Sequence, residues 1–197
     1  MRYIGVALTI VMLAGFFAAR GKLNRIGLEF FAWNETPSSK IVRAIGLGAI
    51  AVLLAGWLFR DMRTGTIPPW PEVWIGITFG PLAEELVFRG CLFYGIASAL
   101  KRWLARPGWL VVFVVAALFA VSHLARVGIT PSQIGTIFLT GSLFGWLRLD
   151  SGSTVPPFCA HMTYNACLYA IAVLRVNGGV STKTLHLHAG LPLASLA

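Results

Sequence analysis

The chain has 197 residues, 57% of them hydrophobic and 12% charged, with a mean hydropathy of +0.77. A soluble domain carries about 45–50% apolar and about 25% charged residues, so this composition excludes an ordinary soluble globule; it also excludes disorder, which needs low hydrophobicity and high charge. The formal charge of +9 comes mostly from Lys and Arg at the ends of apolar runs, which points to the lipid bilayer and its anionic headgroups as partner and not to nucleic acid.

Apolar runs approaching the roughly 20 residues needed to cross a hydrocarbon core predict an all-α fold, a polytopic transmembrane helix bundle of about six helices. The first run covers residues 3–19. Phe17 is poorly placed for cleavage after Ala19, and the cluster Arg20, Lys22 and Arg25 follows the run instead of preceding it, so a retained helix is expected. The second covers residues 41–59 and is closed by Arg60 and Arg63. Residues 64–71 (TGTIPPWP) are rich in helix breakers and are expected to form a loop or interfacial segment. The third run, residues 73–100, is long and contains Glu84, Glu85 and Arg89; the fourth, 109–125, ends near His123. The fifth, 131–147, is uncharged, and the sixth, 155–174, carries His161 and Asn165. The tail from 175 to 197 is too interrupted to span again. Residues 1–72 therefore form an N-terminal part with two helices and their loops, ahead of a four-helix core at 73–174.

Loops after the first, third and fifth runs hold Arg20, Lys22, Arg25, Lys40, Lys101, Arg102, Arg106 and Arg148, against Arg2, Arg60, Arg63, Arg126, Arg175 and Lys183 on the other side. The richer side is expected to face the cytoplasm, with both termini opposite. Cys91, Cys159 and Cys167 are odd in number, lie in apolar runs and form no CxxC pair, so no disulfide framework is expected. Gly76/Gly80 and Gly141/Gly145 have the GxxxG spacing that lets membrane helices approach closely.

The informative residues are the polar ones inside these runs. An ionisable group at the bilayer centre costs about 2.5–3.5 kcal/mol on insertion scales, so it must face a partner or a water-filled cavity. Glu85 and Arg89 are spaced i,i+4 and can pair on one helix, whereas Glu84 points about 100° away and needs a partner elsewhere. Pro81 frees the carbonyl of Ile77 and predicts a kink beside this carboxylate. His123 shares a face with Phe119, as does His161 with Asn165. At about 1.5 Å per residue, Glu84 lies about 16 Å, Asn165 about 14 Å and His161 about 20 Å from one end of the bundle, with His123 nearer that end. One layer near the midplane can therefore gather them.

A carboxylate in an apolar cavity can act as base or acid near neutral pH, with a histidine sharing its water. Asn and a second His can donate to the oxyanion of a tetrahedral intermediate. Peptide hydrolysis inside the membrane is the chemistry this set fits. Other ways of doing it lack their residues: there is no HExxH, no GxSG, and the two aspartates, Asp61 and Asp150, lie at helix ends. No cofactor is expected; the alternative is a zinc site made from Glu84, Glu85, His123 and His161.

EELVFRG at 84–90 matches EExxxR, FAVSH at 119–123 matches FxxxH, and HMTYN at 161–165 matches HxxxN. In this order on successive membrane helices, the chain resembles the CPBP family, the CAAX-protease and bacteriocin-processing group also called Abi. The resemblance implies a glutamic-type intramembrane endopeptidase acting on a membrane-associated protein or peptide, in processing, maturation or sorting. It implies that Glu84 and His123 activate water, that His161 and Asn165 polarise the carbonyl, and that Glu85, Arg89 and Phe119 support them. The compact chain suits a multi-pass protein of a bacterial inner membrane. The competing expectations are a non-catalytic immunity or scaffold protein binding a peptide in the same cavity, and a proton or ion conductor.

Overall fold

The computed structural model describes residues 36–58, 69–105, 108–125 and 129–177. The first expected helix (3–19), the breaker-rich residues 64–68 and most of the tail lie outside the described residues. Within them the chain is helical, with no strand. Helix α1 is Ser38–Leu58; α2 is Trp70–Ile77, α3 Phe79–Glu85 and α4 Phe93–Leu100; α5 is Gly108–Ser122, α6 Pro131–Ser151 and α7 Val155–Asn177.

The expected run over 73–100 is helical but not one regular helix. It breaks at Thr78, three residues before Pro81, and α3 passes into a π-helical stretch at Leu86–Leu92 before α4 resumes. Proline cannot donate to the carbonyl four residues back, so the break falls where Pro81 leaves the ladder open. Thr78 seals its own side of the break by donating its hydroxyl and amide to the Trp74 carbonyl, at 2.7 and 3.0 Å. The helix also starts earlier than expected. Trp70 and Pro71, assigned to a loop from sequence, form its first residues, because proline at the first positions forfeits only an amide that has no intrahelical partner.

Helix α6 opens with a capping box. The Thr130 hydroxyl accepts from the Gln133 amide at 3.3 Å, and the Gln133 side chain accepts from the Thr130 amide at 2.8 Å. It runs four residues past the expected end and stops at Gly152, whose φ of +70° is the left-handed conformation glycine adopts without strain. Three residues then turn the chain into α7.

The most extensive contacts are α5 against α6 and α1 against α7. Both depend on glycine. A Cβ on Gly145 would lie 3.1 Å from Val112 Cγ1 and 3.5 Å from its Cα, and one on Gly141 would lie 3.5 Å from the Ala116 Cα, so the Gly141/Gly145 spacing lets α6 rest on the backbone of α5. A Cβ on Gly48 would collide with the Ala160 carbonyl oxygen of α7. Gly48→Ala should therefore lower thermal stability in detergent by about 1–3 kcal/mol, since two backbones must part. Gly46→Ala, two residues earlier with open space at its Cβ, should be neutral or stabilising by up to about 1 kcal/mol. Equal melting temperatures for the two variants would contradict this packing.

Val52, Ala55, Phe144, Leu147, Ala160 and Tyr164 form one buried cluster, and Phe93, Val111, Val112 and Val115 another. Outside them the molecule is inverted relative to a soluble protein: Val42, Leu53, Phe113, Val121 and Leu139 are exposed while Glu84, Glu85, Arg89, His161 and Asn165 are buried. Gly108–Ala125 and Val155–Leu174 are each long and apolar enough to cross a membrane, with mean hydropathies of 2.2 and 1.2. One end of the bundle gathers cations. Lys40 and Arg43 of α1 both pair with Asp150 at the end of α6, the Lys40 contact being 3.4 Å. These exposed pairs are worth about 0–1 kcal/mol and set the register of α1 on α6 more than its stability.

Candidate active site

Glu84 and Glu85 end α3, and Arg89 sits in the π-helical stretch that follows. A π turn widens the helix and is often found at functional sites. Glu85 and Arg89 still pair as their spacing predicts, with Arg89 Nη1 donating to Glu85 Oε1 at 3.0 Å; the two side chains are 1% and 0% exposed. The second guanidinium arm, Nη2, donates to the Gly141 carbonyl of α6 at 2.9 Å. The planar group packs over the Phe119 ring at 4.5 Å and the Phe144 ring at 5.5 Å. Arg148 Nε closes the circuit by donating to the Arg89 carbonyl at 3.0 Å. Glu85 Oε2 and Arg89 Nε are buried without a hydrogen-bond partner.

His161 of α7 enters between the glutamates. Its Nδ1 lies 2.8 Å from Glu85 Oε1, and its Nε2 lies 3.7 Å from Glu84 Oε2. Glu85 Oε1 already accepts from Arg89 and is an acceptor toward the imidazole too, so Nδ1 carries a proton, while Nε2 lies on the Glu84 side of the ring. Phe144 stacks on the imidazole at 4.8 Å between centroids and 26° between planes, while Phe119 meets it edge-on at 6.1 Å.

Asn165, one turn after His161, uses its side-chain amide differently. Nδ2 donates to the Gly76 carbonyl at 2.8 Å, just before the break in the α2–α3 run. One of its two amide hydrogens is thus engaged in holding the broken helix against α7, and the other remains for a ligand. His123 begins a 3-10 turn at the end of α5, and its Nδ1 donates to the Phe119 carbonyl at 2.7 Å. Its ring packs edge-on against Phe119 at 4.7 Å, which leaves the Phe119 ring between the two imidazoles. The fold thus brings Glu84, Glu85, Arg89, His161 and Phe119 into one cluster. Asn165 adjoins it through Gly76, and His123 adjoins it through Phe119.

The residues that sequence reasoning missed are contributed by helix α6 or act through their backbone. Gly141 supplies a carbonyl, Phe144 a ring and Arg148 a guanidinium, at a spacing that puts all three on one face of α6. Among the described residues, no three His, Cys, Asp or Glu side chains are grouped so as to hold a metal ion.

An apolar-surfaced helical bundle with paired carboxylates and an imidazole in its interior is a membrane protein equipped for acid–base chemistry. The chain belongs to the family described as type II CAAX prenyl endopeptidase Rce1-like, whose model matches residues 66–167, just over half of the chain. That is the group which the three motifs resemble, and it makes the protein a membrane protease of CAAX-protease type. No curated protein and no solved structure matches the chain significantly.

Proposed function

We propose that the protein hydrolyses a peptide bond near the C-terminus of a membrane-anchored protein, using a water molecule activated by Glu84. The observation that carries this reading is the buried Glu84–His161–Glu85 arrangement, in which one carboxylate is tied to Arg89 and the other lies 3.7 Å from the imidazole Nε2. Glu85, neutralised by Arg89, orients His161. Glu84 takes the proton of the attacking water while the water oxygen bonds to the scissile carbonyl carbon. The resulting oxyanion receives the free Asn165 amide hydrogen. His161 donates to it from Nε2 only as imidazolium, after taking a proton that Glu84 has drawn from water. That proton then passes to the departing amine, the C–N bond breaks, and Glu84 is regenerated. His123, whose Nδ1–H is held by the Phe119 carbonyl, works with Glu84 on the attacking water in this reading.

The family description supports a prenylated CAAX tail as the first probe of a membrane-associated protein substrate, and the proposed location is the bacterial inner membrane with the Lys40/Arg148 end toward the cytoplasm. Protein reconstituted in lipid nanodiscs and given a farnesylated CAAX peptide in H₂¹⁸O should release the terminal tripeptide, with ¹⁸O in the new carboxylate of the prenylated product. The rate should survive EDTA and 1,10-phenanthroline. Loss in chelator with recovery on zinc would replace the glutamate mechanism with a metal one. Absence of cleavage of prenylated and non-prenylated probes alike would leave the immunity or scaffold reading.

A further inference from the structure

Helix α6 carries none of the motif residues, yet one of its faces touches both Arg89 and His161. Along that face Gly141 receives Arg89 Nη2, Phe144 covers His161 and approaches Arg89, and Arg148 holds the Arg89 carbonyl. Phe144 is the member of this set that meets the imidazole directly. It is fully buried, and it is itself held in place by Tyr164, whose ring lies edge-on to it at 6.4 Å.

An imidazole that bridges two carboxylates has a competing arrangement. Rotation of the ring by about a quarter turn about its Cβ–Cγ bond moves Nδ1 and Nε2 away from Glu85 and Glu84. The hydrogen bond to Glu85 opposes this turn, but Glu85 Oε1 is shared with Arg89 and Glu85 Oε2 has no partner, so that bond alone leaves the ring plane underdetermined. A ring stacked at 26° opposes the turn as well, because an imidazole turned out of its plane would drive its edge into the Phe144 face. The geometry points to Phe144 as the positioning residue that holds the plane of His161, with Nδ1 on Glu85 and Nε2 toward Glu84. Phe144 touches no reacting atom; it acts through His161. The functional consequence rests on the peptidase reading above, whereas the locking itself does not.

The test is ring-¹⁵N-histidine NMR on the intact protein in nanodiscs, with the His161 signals assigned among the four histidines by their loss in His161→Gln. The native protein should show a single Nδ1–H tautomer for His161. Phe144→Leu should show both tautomers or exchange-broadened signals, and Phe144→Tyr, which keeps the ring, should restore the single species. Phe144→Met serves if the leucine variant fails to fold, since it fills similar volume without a ring plane. With the farnesylated peptide, the leucine variant should lose turnover by about 10–100-fold at unchanged KM. An unaltered single tautomer in both Phe144→Leu and Phe144→Met would overturn the proposal. So would a tyrosine variant as disordered at His161 as the leucine one. If native protein cleaves no probe, the peptidase reading fails while the tautomer spectra still decide the role of Phe144.

Discussion

Glu84→Gln should reduce hydrolysis by about 10²–10⁴-fold, the contribution of a positioned general base, while the protein remains in the membrane at its normal level. Glutamine has the same shape as glutamate, so it still fills the space beside His161. Its side-chain amide can hydrogen-bond as donor or acceptor, and packing is preserved. What it lacks is an oxygen basic enough to take a proton from water. Glu84 is buried but is not the carboxylate that Arg89 Nη1 holds, so its neutralisation leaves the Glu85–Arg89 pair in place. A scaffold or immunity protein using the same cavity should tolerate the change, and a proton conductor should lose its dependence on the proton-motive force. Activity within a few-fold of native for Glu84→Gln would remove Glu84 from the chemistry.

Arg89→Ala should act at the level of folding, destabilising the protein by about 3–5 kcal/mol, because it leaves Glu85 buried and uncompensated. The side chain is fully enclosed, so solvent offers Glu85 no alternative partner. The substitution also strips the cation from between Phe119 and Phe144 and frees the Gly141 carbonyl. The expected readout is loss of protein from membranes and a lowered melting temperature in detergent. The double variant Glu85→Gln/Arg89→Met should accumulate better than Arg89→Ala, since removing both charges costs less than orphaning one. An Arg89→Ala protein that accumulates normally and is merely inactive would show that the ion pair is dispensable for folding.

The charged and polar part of the site was legible in the sequence because each such residue is costly in an apolar run. Glu84, Glu85 and Arg89 announce themselves by that cost, and the i,i+4 spacing of Glu85 and Arg89 foretold their pairing. Pro81 foretold the break at Thr78. The π-helical stretch was not legible, since one extra residue per turn changes hydrogen bonding without changing hydropathy. Phe144 was hidden for a similar reason: phenylalanine in a membrane helix has no feature that separates a ring stacked on a histidine from one facing lipid. Gly141 and Gly76 act through carbonyls, which every residue possesses. The spacing of Gly141 and Gly145 told of close packing on α5, and only the fold reveals that the same closeness lets Arg89 reach the Gly141 backbone. Asn165 was expected at the substrate, and its bond to Gly76 gives it a second task in holding the broken helix. His123 was expected to work with Glu84; it lies across the Phe119 ring from His161, the imidazole seated between the glutamates.

The central claim, that Glu84 drives proteolysis in the membrane, is tested most directly by mass spectrometry of peptide termini in the membrane proteome. Cells carrying the native chain would be compared with cells carrying Glu84→Gln at equal protein levels. A set of new C-termini present only with Glu84 is the predicted result, and it would name the substrates together with the cleavage position. Identical termini in the two strains, with a cellular phenotype that still depends on the protein, would contradict the account.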